Sequence, residues 1–273
     1  MTVGIDGGYL RRWKDRSSNF EVMVGKSVPT TGAAKCFGMV QQFDEKPRRR
    51  LFSVLAGQGV AEGQSFRFLS DGATIVRNLQ RAMHPNAEHI LDWFHIAMRL
   101  TVLKQYVRGV VRVEKDAGDY GADSIGRRLQ TALDRAKWNL WHGKVDDALE
   151  RLEDLDAYSW DFETRYSKFA KFEAAHRELR AYLRRNRFMM PNYGQYWREG
   201  RVISSAFIES MVNALLGKRF SKKQQMGWTP EGAHLVLQAR VKFANGEMGK
   251  AFKNWYPNFS ANDDYAGKEL LAA

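Results

Sequence analysis

The sequence predicts an α/β protein in which a mixed five-stranded sheet with flanking helices carries an all-helical insertion. Three observations carry this reading. Short β-branched or apolar runs recur at residues 2–5, 20–28, 34–41, 66–69 and 89–91. From residue 94 to about 187 the pattern changes to long helical periods rich in Arg, Leu, Ala and Glu, with few glycines. Past residue 203 comes a helix with one apolar stripe, as an element packed on the sheet requires.

Taken in order, residues 2–5 form a buried strand that runs into Asp6, Gly7 and Gly8, a turn signal. Residues 20–28 alternate and 34–41 are apolar, with Pro29, Thr30, Thr31 and Gly32 between them, so the first three strands make an antiparallel meander. The basic run 46–50 leads into 51–55, which pattern alone leaves open between helix and strand. The run 66–69 stops at Ser70, Asp71 and Gly72, an N-cap and turn before a helix over 73–83, and the run 89–91 stops at Asp92.

In the helical block, residues 125–141 and 145–155 predict an αα-hairpin broken at Gly143, and 163–184 a long amphipathic helix. Residues 189–201, with Pro191, Gly194 and Gly200, read as a loop returning the chain to the sheet. A helix follows over 203–220, its core stripe made by Ile208, Met211, Val212 and Leu215. Ser205, Glu209 and Asn213 flank that stripe at spacings of four. Thr229 and Pro230 suit the N-cap and first position of a helix over 231–243, and the chain beyond Gly246 is weakly patterned. The expected organisation is a core formed by 1–96 and 200–245, a helical insertion over 97–199, and a tail over 246–273.

A formal net charge of +12 and an aromatic content of 12% fit a globular protein with a polyanionic partner, of which phosphate backbone is the obvious one. Cys36 is the single cysteine, which excludes an intrachain disulfide and a thiolate-rich zinc site, and it is read as a small buried hydrophobe. No apolar run reaches the roughly 18–20 residues of a spanning helix. No membrane association is expected, and a cytoplasmic location is.

Open α/β sheets bind ligands beyond the carboxyl ends of their strands, which puts Asp6, Asp71 and Asp92 at loaded addresses. Three carboxylates, Asp6, Asp71 and Glu209, converge if the first and fourth strands are neighbours and the late helix crosses them. Such a trio suits two hard divalent cations at a phosphodiester. The basic groups Arg184, Arg185 and Arg187, then Lys218, Arg219, Lys222 and Lys223, are candidate DNA contacts, with Asn213 beside them. Trp228 is either a core residue or a stacking surface for an unpaired base. Asp92 and His95 could equally be a helix N-cap and a surface histidine.

The motifs GIDGGY around Asp6, FLSDGA around Asp71, DWFH from Asp92 to His95, and SAFIES around Glu209 resemble those of the DDE transposases of bacterial insertion sequences, especially relatives of the Mutator-like group and the Kra family. The later segments KRFSKKQQMGW and EGAHLVLQAR resemble that family too, so the likeness runs from Val3 to about Arg240. It implies an RNase H-like core interrupted by a helical insertion, with Asp6, Asp71 and Glu209 as catalytic metal ligands for two Mg²⁺ or Mn²⁺ ions. Asp92 and His95 match a Cys-or-Asp, two residues, His motif that supports the site. The implied activity is cleavage and strand transfer of an insertion sequence, by oligomers assembled on transposon ends and target DNA in a bacterial cytoplasm or nucleoid. The family carries a DNA-binding region ahead of the first aspartate, so a chain with five residues there is expected to lack it. The alternative is a truncated or repurposed relative that binds DNA without cutting it.

Overall fold

The computed structural model describes residues 1–15, 17–44, 46–58, 67–83, 87–157, 166–217, 220 and 226–258. It is a mixed α/β fold whose sheet has the order β3-β2-β1-β4-β5. Strands β1 (Thr2–Arg11), β2 (Asn19–Val28) and β3 (Lys35–Val40) form the expected antiparallel meander. Strand β4 (Arg67–Ser70) lies parallel to β1, and β5 (Glu88–Leu91) completes the sheet. The chain divides into two compact units, residues 1–89 with 205–273, and residues 90–204.

In the first unit the period-2 alternation of the strands sorts apolar side chains onto two faces. Val3, Ile5, Met23, Phe37, Met39 and Phe68 pack with Leu51 and Leu55 of α1 (Pro47–Ala56) and Val76 and Leu79 of α2 (Thr74–Met83). Leu10, Phe20, Val22, Val24, Cys36 and Val40 take the other face, against α8 (Ala206–Leu216) and α9 (Pro230–Ala244). Each fully buried Leu, Ile or Phe contributes roughly 1.5–3 kcal/mol, so these two layers hold the unit together.

The expected turn at Gly7 and Gly8 is instead strand. β1 continues to Arg11, paired residue by residue with β2, and Gly8 leaves space for α8: a Cβ there would stand 3.0 Å from Leu216 Cδ1. Gly4 does the same more severely, since a Cβ would meet Ile208 Cδ1 at 1.8 Å. Eight helix residues rise about 12 Å and four strand residues about 13 Å. Ile208 over Gly4 and Leu216 over Gly8 therefore mean that α8 runs along β1 in the same direction.

Other departures are local. Residues 51–55 belong to α1, started by Pro47 at its first turn, with Leu51 and Leu55 spaced by four on the buried side. The return loop holds a 3₁₀ turn (Arg187–Met189) and the short helix α7 (Tyr193–Arg198), capped by Asn192. Helix α8 is shorter than 203–220, bounded by Ser205 and Gly217, and the tail contains α10 (Met248–Trp255).

Strand β3 is the sheet's outer strand on the meander side, and α9 lays a polar stripe along it. Asn245, just past α9, accepts from Cys36 N–H at 2.8 Å and donates to Cys36 C=O at 2.9 Å. Gln238 donates to Gly38 C=O at 2.7 Å, and His234 Nδ1 accepts from Val40 N–H at 3.4 Å. Positions 234, 238 and 245 lie on one helical face, and positions 36, 38 and 40 are the alternate residues of β3 whose backbone groups turn away from β2.

The second unit is built from α3 (Trp93–Asp116), α4 (Ile125–Trp141), α5 (Val145–Ala157), α6 (Phe169–Arg185) and α7. The expected hairpin is α4 and α5, with Gly143 at φ +74° between them. Helix α3 packs on α4 and α6, and α5 on the same two, around Leu103, Val107, Leu133, Leu140, Leu152 and Leu179. Buried Glu114 of α3 accepts from Gly126 N–H at 3.0 and 3.1 Å, so its carboxylate caps the first turn of α4. His176 is buried with Nε2 2.8 Å from Leu152 C=O. The predicted start of α6 at 163 lies outside the described residues; the observed helix begins at Phe169. Among the described residues no helix is long and apolar enough to cross a membrane.

Candidate functional site

The parallel register between β1 and β4 sets the approach to two of the aspartates. Thr2, Val3 and Gly4 stand opposite Arg67, Phe68 and Leu69. Two residues past that pairing come Asp6, still within β1, and Asp71, one residue beyond the end of β4. Both are half-buried. Asp6 Oδ1 accepts from Gly7 N–H at 2.8 Å, and Asp71 Oδ1 accepts from Ala73 N–H at 2.8 Å, so each carboxylate is oriented by a neighbouring backbone donor. Gly72, at φ +82°, turns the chain from β4 toward α2 in a conformation that costs an L side chain roughly 1–2 kcal/mol.

Asp6 lies between Gly4 and Gly8 on the face of the sheet that α8 covers. Glu209 occupies the first turn of α8, one residue after Ile208, and is exposed. Among the described residues no three His, Cys, Asp or Glu side chains come together as a set able to hold a metal ion. Asp6 and Asp71 thus follow the paired segments of β1 and β4, while Glu209 is carried by the helix that runs along β1.

A further carboxylate, on the face of β1 opposite Asp6, feels the charge of Asp71 and escaped the sequence reading. Glu21 of β2 stands opposite Tyr9, and its Oε1 lies 3.1 Å from the point a Gly7 Cβ would occupy. Burial, and after it the charge of Asp71, raise the Glu21 carboxyl above its ordinary value. A charged residue in an alternating strand reads as a solvent-facing position. Only the missing side chain of Gly7 lets Glu21 lean across the sheet.

Asp92 and His95 lie in the second unit. Asp92 is fully buried and caps α3, its Oδ1 accepting from Phe94 N–H at 2.8 Å, and its Oδ2 is 3.6 Å from His95 Nε2. Nearby, the Tyr193 hydroxyl donates to Leu91 C=O at 2.7 Å, and burial pushes that hydroxyl well above its ordinary value. Trp93 packs against Trp141 and Tyr193, each with ring centres 4.9 Å apart.

Of the basic candidates, Arg184 pairs with Glu153, which Arg180 also reaches, and hydrogen bonds from these two arginines lower the Glu153 carboxyl. Arg187 pairs with Asp146 at 2.9 Å, and Arg185 is exposed. The same unit holds a cleft of about 310 Å³ lined by Arg127, Arg128, Arg135 and Arg151 with one acid, Asp154. Spread over two helices, those arginines form no run that a sequence scan would detect. In the first unit Asn213 is exposed on α8, and Trp228 stacks on Phe220 with ring centres 4.6 Å apart and bonds through its backbone to Arg11 and Trp13. Lys218, Arg219, Lys222 and Lys223 lie outside the described residues. No protein-family model and no curated protein matches the chain.

Proposed function

We propose that this chain is the catalytic core of a DDE transposase, with an RNase H-like sheet, that cuts the ends of an insertion sequence and joins them to target DNA. The observation that carries the reading is the parallel pairing of β1 with β4, which puts Asp6 and Asp71 at matching positions just past it, with Glu209 on the helix that runs along β1. The sheet order, with an antiparallel meander and a parallel β1/β4 pair, supports the RNase H-like assignment.

Two carboxylates on neighbouring strands offer hard oxygen donors, the chemistry Mg²⁺ and Mn²⁺ require. Asp6 and Asp71 would hold such ions, and Glu209, which the structure does not group with them, would have to approach to add a third ligand. When bound, divalent cations supply Lewis-acid stabilisation of phosphoryl charge and activate a water or terminal hydroxyl. The chain's own part is positional. Gly7 and Ala73 N–H groups fix the two aspartates, and the glycines at 4 and 8 let α8 press close enough to β1 to carry Glu209 along it. Assembly on two transposon ends, and a bacterial nucleoid setting, follow from the same reading.

The test is a strand-transfer assay on paired DNA ends with Mn²⁺. Loss of metal-borne stabilisation worth several kcal/mol predicts that Asp6→Ala and Asp71→Ala each lower product about 10³-fold or more. Equal product from wild type and Asp71→Ala sinks the proposal. Product that is cut but never joined makes the protein a nuclease instead. A second reading, a DNA-binding relative that does not cut, draws support from the lack of a three-ligand set among the described residues. It expects DNA binding with no cleavage by wild type.

A further inference from the structure

Away from the aspartates, at the β3 edge of the sheet, α1 and α9 flank a cleft of about 810 Å³. Its floor is apolar, made by Cys36, Phe37 and Val241, and its walls are charged. Five cations line it, Lys35, Lys46, Arg49, Arg50 and Lys242, against two acids, Asp44 and Glu247. Both acids are already taken: Asp44 by Arg50 Nε and Glu247 by Lys35 Nζ, each at 2.6 Å. Lys46, Arg49 and Lys242 make no ion pair among the described residues, so three positive charges on two helices face one cleft.

One wall is rigidly built. Arg50 is held by Asp44 and by Gln238 Oε1 at 2.8 Å, with the His234 ring beside it. Burial, and then the Arg50 charge, lower the His234 imidazole below its ordinary value. The cleft's positive charge therefore comes from lysine and arginine. At the mouth, Phe43 is 40% exposed, its ring centre 5.2 Å from that of His234. Cations that make no ion pair among the described residues, beside an exposed aromatic face, are what a single nucleic-acid strand needs, since the cations meet phosphates and the ring meets a base. A duplex has no free base to offer Phe43. An extended peptide would need the backbone of β3, which α9 already occupies.

We infer that the cleft between α1, β3 and α9 binds the phosphodiester backbone of a single nucleic-acid strand, with an unpaired base against Phe43. The inference does not depend on whether the chain cuts DNA.

The experiment measures binding of a labelled single-stranded oligonucleotide to the full chain by fluorescence anisotropy, without divalent cations. Each phosphate neutralised on a single strand adds about 0.7 to the salt slope. The Lys46→Ala/Arg49→Ala/Lys242→Ala variant is therefore expected to lose about 2 from that slope. Phe43→Ala is expected to weaken single-strand binding about tenfold with little effect on duplex. A photo-crosslinker on Ser53→Cys, inside the cleft, is expected to attach to the strand, and one on Lys137→Cys, in the other unit, is not. The inference is overturned by a folded triple variant with unchanged affinity and slope, or by Ser53→Cys crosslinking to duplex alone. It is equally overturned if inorganic phosphate shields Ser53→Cys from alkylation while no strand crosslinks there, which would make the cleft a small-anion site. If the triple variant fails to fold, the Ser53→Cys crosslink decides.

Discussion

The chain leaves β4 and β5 in the same way and arrives at two different environments. Asp71 and Asp92 each follow a short buried strand, and each accepts a hydrogen bond at 2.8 Å from the backbone N–H two residues on. Asp92 is then sealed in, fully buried at the N-cap of α3 with His95 behind it. Asp71 stays half-buried, followed by Gly72 at φ +82°, with its charge felt by Glu21. The local bond is identical, so it says nothing about chemistry. What separates a structural aspartate from a candidate catalytic one is burial on one side and gathered negative charge on the other.

Thermal and denaturant unfolding can break this distinction. The largest stability effect is expected from Asp92→Ala, which removes the cap of a 24-residue helix and should cost about 1–2 kcal/mol; a loss no greater than that of Asp71→Ala would make the two sites equivalent. Gly72→Ala comes next, at about 1 kcal/mol, because the left-handed conformation is retained with a side chain. Asp71→Ala should cost least, about 0.5 kcal/mol, because losing its backbone bond is offset by relief of its repulsion with Glu21, even though the same substitution is the one expected to abolish strand transfer.

The smallest effect has the opposite sign. Glu21 has a raised carboxyl, so between the ordinary glutamate value and its folded value the folded chain holds more protons than the unfolded one. Stability contributed by the protonated form is present at low pH and lost as the pH rises through that window. Glu21→Gln should therefore raise the melting temperature slightly at neutral pH and flatten the profile there. A melting temperature that falls instead would show that the Glu21 charge is stabilised where it stands.

The strand segments, the αα-hairpin and the stripe of α8 were legible because each is a periodic pattern that burial enforces. Gly7 and Gly8 misled for a physical reason: two glycines after an aspartate spell a turn, but here they make room, Gly8 for Leu216 and Gly7 for the Glu21 carboxylate. Helix α1 was hidden by its basic start, which carries little periodicity until Leu51 and Leu55 are seen buried. The candidate pair Asp6 and Asp71 could be picked out from the chain, since both follow apolar runs. Glu21 could not, and neither could the cleft at β3, because residues more than 180 positions apart, such as Asp44 and Arg50 with His234, build it.

The polar stripe of α9 along β3 has a consequence for self-association. An outer strand with open backbone groups is a template for another chain, and sheets that join through such edges aggregate. With Asn245, Gln238 and His234 occupying Cys36, Gly38 and Val40, a second strand cannot zip onto this side of the sheet. Association through this edge is closed, and a chain cut short before His234 is expected to expose a bare strand and to aggregate.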